Sequence, residues 1–243
     1  MDPAGSSGKF TTTHWSQVAA AGRAEPSVAL DALEQLARTY QYPIYAEIRR
    51  QGHPDETARD LTQSFFVRLL SGNFFARASA TRGRFRNYLL TALNHFLADD
   101  WRHRTRESRG GGQTPLSLDD DTLEDRYRLE PIVSRTPAEI YERRFALTLL
   151  EEVLRRLEKE FVSFGSADLF ARLQIFLIGE GESSPGYATL AAELGLTPGA
   201  VKAAVYRLRR RYRELLREEI SRIVGTPEEV EDELQYIFRL LTS

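Results

Sequence analysis

The stretch Tyr187-Ala-Thr-Leu-Ala-Ala-Glu-Leu-Gly-Leu-Thr-Pro-Gly-Ala-Val-Lys-Ala-Ala-Val-Tyr206 has the spacing of a helix-turn-helix, and the fold class turns on it. Ala191 is small where two helices must cross closely. Gly195, four residues on, suits a turn that needs positive φ. Val201, six beyond Gly195, is placed to pack the second helix on the first. Thr197 can cap that second helix, and Pro198 fits its first turn. The helix runs on as Arg207-Leu-Arg-Arg-Arg-Tyr-Arg213. Val201, Val205, Leu208, Tyr212 and Leu215 mark its buried side, while Lys202, Tyr206, Arg209, Arg210 and Arg213 fall mostly elsewhere. A second helix held this way can enter the major groove, where Lys and Arg neutralise phosphates or pair with guanine edges. A basic run alone usually marks a solvated helix face. Here it coincides with the turn spacing, and that coincidence points to DNA binding.

The rest of the chain is helical too. Leu30, Leu33, Leu36, Ala37, Tyr40, Ile44 and Ile48 recur at three- and four-residue steps, which predicts one helix over about 26–50 with Pro43 inside it. Gly52-His53-Pro54 breaks it. A second helix is expected over about 55–70, stopped by Gly72-Asn73, and a third over about 85–106. Gly110-Gly111-Gly112, Pro115, Pro131 and Pro137 surround the acidic cluster Asp119-Asp120-Asp121, so 109–137 reads as an extended, flexible, acidic linker. Helical spacing returns at Ile140, and a last amphipathic helix runs from Glu228 to Leu241. That helix either folds back on a domain as a built-in regulator or completes a core. No segment alternates as a strand would. The expected fold is all-α, with two small helical domains joined by the linker.

Composition narrows the function. The chain has 243 residues, 42% hydrophobic and 28% charged, as in a soluble globular protein. No apolar run could span a bilayer, and residues 1–13 have neither the basic nor the apolar region of a signal peptide, so a cytoplasmic protein with no membrane partner is expected. Cysteine is absent, which excludes disulfides, thiol catalysis and Cys-based zinc sites. The net charge of −2 hides a pattern. Arginines dominate from Arg77 to Arg109, carboxylates from Leu116 to Glu130, and basic residues again from Lys202 to Arg217. The two basic blocks are candidate phosphate-binding surfaces.

The first domain makes the reading specific. Asp60-Leu-Thr-Gln-Ser-Phe-Phe-Val-Arg-Leu-Leu70 is similar to the helix by which extracytoplasmic-function (ECF) bacterial sigma factors grip the clamp of the polymerase largest subunit. Phe85-Arg-Asn-Tyr-Leu-Leu-Thr-Ala-Leu-Asn94, continuing to Arg106, is similar to the helix with which that family melts and reads the minus-ten element. The order of clamp helix, promoter helix, acidic linker and helix-turn-helix also resembles the family over about 29–222. The resemblance implies a sigma2-like polymerase- and minus-ten-binding domain at 26–108, the linker at 109–137 and a sigma4-like helix-turn-helix domain at 138–224, and it leaves outside these an N-terminal extension at 1–25 and a C-terminal helix at 225–243. It implies polymerase contacts at Asp60, Gln63, Phe66 and Arg68. Minus-ten contacts fall to Arg84, Arg86, Asn94, Trp101, Arg102 and Arg104, and minus-thirty-five contacts to Lys202, Tyr206, Arg207, Arg209, Arg210 and Arg211. Phe85, Tyr88 and Phe96 read as core rather than as stacking platforms. The partners are core RNA polymerase and promoter DNA, and no cofactor or metal is needed because the polymerase does the chemistry.

Three departures from the family pattern stand out. The residue after Gln63, usually an acid, is Ser64; the acid after Asn94 comes one residue late, at Asp99; and Ala204 stands where relatives are often basic. Phosphorylation of Thr62 or Ser64 would add up to about two negative charges to the clamp helix, so a Ser/Thr kinase is one candidate controller. An anti-sigma factor, or docking of the two domains on each other, is another. Two rivals remain. A DNA-binding regulator that does not touch polymerase needs only the second domain and leaves 60–70 and 85–106 unexplained. An enzyme finds no support: His14, His53, His95 and His103 have no metal-ligand spacing with carboxylates, and there is no Gly-rich phosphate loop or nucleophile motif.

Overall fold

The computed structural model describes residues 26–70, 85–106, 122–130, 136–177, 186–224 and 226–242, and among these the only regular secondary structure is helical. The helices are α1 (Pro26–Arg50), α2 (Asp55–Leu70), α3 (Phe85–Arg106), α4 (Thr122–Leu129), α5 (Pro137–Ser163), α6 (Ala167–Leu173), α7 (Tyr187–Leu194), α8 (Pro198–Ser221) and α9 (Glu228–Thr242), with a 3₁₀ turn at Gln174–Leu177. No described helix is long and apolar enough to cross a membrane. The chain divides into two units. One is drawn from Met1–Thr148 and Ile220–Ser243, the other from Leu149–Glu219.

The first unit is built on aromatic side chains that recur at helical steps. On α1, Leu36, Ala37, Tyr40, Ile44 and Ile48 are all buried. Tyr40 meets Phe85 of α3 edge-on at 5.5 Å and stacks on Phe145 of α5 at 5.3 Å. Gly52, at φ 95°, takes the left-handed turn that reverses the chain between α1 and α2. Asp55 and Glu56 then open α2, where carboxylates complement the unpaired N–H groups. Phe65 packs at 5.6 Å from Phe96, joining α2 to α3. Phe85 and Phe96 are buried, as their core reading required.

Two elements of this unit differ from expectation. The region read as an extended linker contains α4. Eight residues make a marginal helix alone in water, so its tertiary contacts must hold it. Leu123 is buried, and Glu124 accepts hydrogen bonds from Arg49 Nε and Nη2, both at 2.8 Å, and from Arg128 Nε at 3.0 Å. The Tyr45 hydroxyl lies 2.6 Å from both Glu124 and Asp55, and its single proton serves one at a time. The acidic cluster 119–121 lies outside the described residues. The second difference is the extent of the unit. It includes the start of α5, where Tyr141, Phe145 and Ala146 are buried, and all of α9, which buries Val230, Leu234 and Ile237. The C-terminal helix therefore folds onto the first unit.

The second unit packs the later part of α5 with α6, the 3₁₀ turn, α7 and α8. Val153, Leu157, Phe170, Leu173, Phe176, Leu190, Val201, Val205, Leu208 and Leu215 are among its buried apolar residues. Helix α6 is short and tightens directly into the 3₁₀ turn. Bidentate pairing of Arg211 to Glu160 (2.7 and 2.8 Å) and the contacts of Arg156 with Glu218 and Glu219 (3.0 and 2.9 Å) tie α8 to α5.

Candidate nucleic-acid interface

The helix-turn-helix geometry is set by the residues that the sequence singled out. Gly195 ends α7 in the left-handed region at φ 66°, ψ 29°, and its N–H turns back to the carbonyls of Ala191 and Ala192. Leu196 N–H bonds the Ala191 carbonyl at 2.9 Å. Thr197 Oγ1 accepts the Ala200 N–H at 3.2 Å, capping α8 ahead of Pro198. Ala191 and Val201 are buried at the crossing. The opposite side of α8 is open. Lys202, Tyr206, Arg210 and Arg213 follow one another at four- and three-residue steps and form an exposed stripe, with Arg207 beside it. Tyr206 is 67% exposed. Gly199, Ala200 and Ala203 are also exposed, and small residues here let the N-terminal turns of α8 approach a surface closely.

Two of the expected minus-thirty-five arginines are engaged inside the protein. Arg209 Nε donates to the Phe176 carbonyl at 2.8 Å. Arg211 spends Nε and Nη2 on Glu160 and directs Nη1 toward Glu214 and Glu218 at 3.3 Å. Its pKa is raised, first by the Glu160 hydrogen bonds. The site expectation is corrected for these two: they brace α8. Lys202, Tyr206 and Arg207 keep the exposure the reading required, and Arg210 also pairs with Glu214 at 3.0 Å.

On α3, Asn87, Thr91, Asn94, Ala98 and Trp101 recur at four- and three-residue steps and are all exposed, Trp101 at 68%. Arg102 lies at the same end and is held by Asp99 at 2.6 Å. Amides, a hydroxyl and an indole on one helix face can hydrogen-bond and stack on unpaired bases. Asn87 and Thr91 went unremarked in the sequence, although their spacing from Asn94 and Trp101 carries the signal. Asn94 also accepts from Gln51 at 3.2 Å. Arg84 lies outside the described residues, as does the side chain of Arg104.

On α2 the exposed face carries Glu56, Asp60 and Ser64, with Gln63 and Val67 partly exposed. Phe66 is not on it: its exposure is 0%, against an expected polymerase contact. Ala58, Thr62 and Phe66 at four-residue steps, beside Leu61, Phe65 and Leu69, form the buried stripe of α2. Thr62, one of the two expected phosphorylation positions, belongs to that stripe at 1% exposure, with Oγ1 donating to the Ala58 carbonyl at 2.7 Å. A kinase has no access to it in this fold. Arg68, half exposed, donates to Asp99 at 3.0 Å and lies over the Phe96 ring.

The first unit therefore presents a polar helix face beside an acidic one, and the second a basic recognition helix. The family model described as ECF sigma factor matches residues 28–174, more than half the chain. The chain belongs to the ECF sigma factor family. No curated protein and no solved structure matches it. The family match covers α1 through α6 and ends before α7, so the helix-turn-helix of this sigma-family chain stands on its own geometry.

The largest departure for a sigma-family protein is Arg86. Expected on minus-ten DNA, it is 0% exposed. Its Nε donates to Glu142 of α5 and its Nη1 to Glu233 of α9, each at 2.5 Å. The rings of Phe145 and Tyr236 flank the guanidinium at 4.9 and 5.2 Å. Burial works against the charge, and Glu233 and Glu142 outweigh it, so the guanidinium stays charged. This conformation gives Arg86 no surface on which to meet DNA.

Proposed function

We propose that this chain is an alternative sigma factor that directs core RNA polymerase, in the cytoplasm, to specific promoters and contributes no chemistry of its own. The observation that carries this reading is the pairing, in one ECF-family chain, of an exposed Asn–Thr–Asn–Trp face on α3 with an exposed Lys–Tyr–Arg stripe on α8. A DNA-binding regulator would need only the second. Glu56, Asp60 and Gln63 on α2 contact the polymerase clamp, with Arg68 at the edge of that face. Asn87, Thr91, Asn94, Trp101 and Arg102, joined by Arg84 and Arg104, engage the melted minus-ten strand. Lys202, Tyr206, Arg207 and Arg210 enter the minus-thirty-five major groove, where bidentate or stacked contacts read bases and the remaining cations hold phosphates.

Ser64 is the control point on α2 that this reading favours, because it is exposed one turn from Asp60 while Thr62 is closed. A phosphate there would restore the negative charge that the clamp helix lacks. The test is binding of the full chain to purified bacterial core RNA polymerase, followed by transcription from genomic DNA. Polymerase binding with promoter-specific transcripts supports the proposal, and Ser64→Ala reports on the control step in cells. DNA binding without polymerase binding, in phosphorylated and unphosphorylated protein alike, would leave a polymerase-independent regulator.

A further inference from the structure

Arg86 joins α3, α5 and α9 inside the first unit, and the composition of that junction is unusual. One guanidinium faces the two carboxylates of Glu142 and Glu233. Its third nitrogen, Nη2, is buried with no hydrogen-bond partner. A purely structural site would gain from apolar packing, since buried ion clusters rarely stabilise more than a well-packed core does. The junction also lies one residue from exposed Asn87, on the helix whose neighbouring side chains form the polar face.

The contact that closes the junction comes from α9, 147 residues along the chain. Glu233 supplies one carboxylate and Tyr236 one of the two flanking rings. Arg143 holds the far end of α9, its Nη1 donating to the Leu240 carbonyl at 2.7 Å. The outer side of α9 is exposed, including Phe238. A carboxylate paired to a guanidinium occupies the place that a phosphate would take, with similar oxygen geometry.

We infer that α9 is a carboxylate latch: Glu233 holds Arg86 in the resting protein, and release of α9 hands Arg86 to the phosphate backbone of single-stranded DNA. The inference rests on the proposed role of α3 and assigns the C-terminal helix a regulatory part in it. Glu142 stays paired to Arg86 when α9 leaves, so the arginine is never buried without a counter-charge. The freed Nη1 and the unpartnered Nη2 supply the donors for a phosphate oxygen pair.

The test uses the full chain and a fluorescent oligothymidylate as the probe. Glu233→Gln keeps the side-chain shape and removes the charge. It is expected to bind the probe at least about threefold more tightly than the wild type, because the latched population falls. The salt dependence is expected to steepen by about 0.7 in log–log slope, the increment for one more phosphate contact on a single strand. Adding Arg86→Gln to Glu233→Gln should return both values to those of the wild type. A Glu233→Gln protein with unchanged affinity and slope, or a double variant that keeps the gain, overturns the latch. Hydrogen exchange on the wild type gives a readout that no variant can compromise. The α9 amides should exchange faster when the probe is saturating, and unchanged exchange overturns the latch. Core-polymerase binding is measured on the same proteins. A wild type that binds polymerase beside an inert Glu233→Gln refutes the latch alone. Loss of polymerase binding with an intact Arg86-dependent gain refutes the sigma function alone.

Discussion

Glu124→Gln removes one negative charge from a residue only 7% exposed, at the point where α4 docks on α1. The magnitude follows from the site. The carboxyl is held from 4.5 down to about 2, first by the hydrogen bonds of Arg49, against burial, and then by Tyr45 and Arg128. At 1.36 kcal/mol per pH unit, that displacement is worth about 3 kcal/mol in favour of the charged form. Glutamine keeps some of the hydrogen bonds, so docking should weaken by about 2 to 3 kcal/mol. An eight-residue helix has little stability of its own, so the loss appears as local opening rather than global unfolding. Amide exchange in α4 is expected to accelerate roughly 30- to 150-fold, with α2 and α3 little changed. The sign with pH is fixed. A folded pKa below the unfolded one contributes stability that is complete above about 4.5 and is lost as pH falls through about 2. The gap between wild type and variant should therefore be constant near neutrality and close on acidification. Equal α4 protection in the two proteins at neutral pH, or a gap that persists at about pH 2, would refute the reasoning.

Gly195→Ala places a Cβ in the left-handed region at φ 66°, with nothing within 4 Å to clash, so the cost is backbone strain alone. About 1 kcal/mol is expected, read as a fall of about 4–8 °C in Tm of the second unit. Trp101→Ala should cost about 1–3 kcal/mol of single-strand affinity, measured by anisotropy, with no loss of thermal stability, since the indole is 68% exposed. Lys202→Ala should lower the salt slope of duplex DNA binding by about 0.9. Arg211→Ala should leave that slope unchanged and instead destabilise the second unit by up to about 1 kcal/mol, because its nitrogens serve Glu160, Glu214 and Glu218.

The helices that position the candidate site were legible because apolar periodicity and chain breakers agree there. Gly52-His53-Pro54 and Thr197-Pro198 are such breakers: α1 ends and α2 starts around the first, and α8 starts at the second. Helix α4 was not legible. Leu123 and Glu124 are its buried residues, and what fixes it is Arg49, 75 residues earlier in the chain. No local pattern carries that information. The arginines failed for the same reason. Arg207, Arg209, Arg210 and Arg211 look alike in the sequence, yet Arg209 finds a carbonyl 33 residues away and Arg211 a carboxylate 51 residues away. Phe66 and Thr62 were a different case, since the four-residue steps from Ala58 already marked them as interior.

The division of arginines into braces and contacts bears on how such a protein would work. Each phosphate neutralised contributes about 0.9 to the salt slope on duplex DNA, and affinity from a handful of cations collapses at physiological salt. With Arg209 and Arg211 committed to the fold, Lys202, Arg207, Arg210 and Arg213 remain to hold phosphates on α8. On α3, Arg86 is latched and Arg102 shares its charge with Asp99. Among the described residues, neither face alone carries enough cations for tight binding. Two weak faces on one chain become selective when both engage the same promoter, because the second contact is then intramolecular and proceeds at a high effective concentration. On the proposed reading, the polymerase supplies the frame that makes both contacts simultaneous. A resting sigma factor whose described arginines are committed in this way then gains by staying off random DNA until that frame is present.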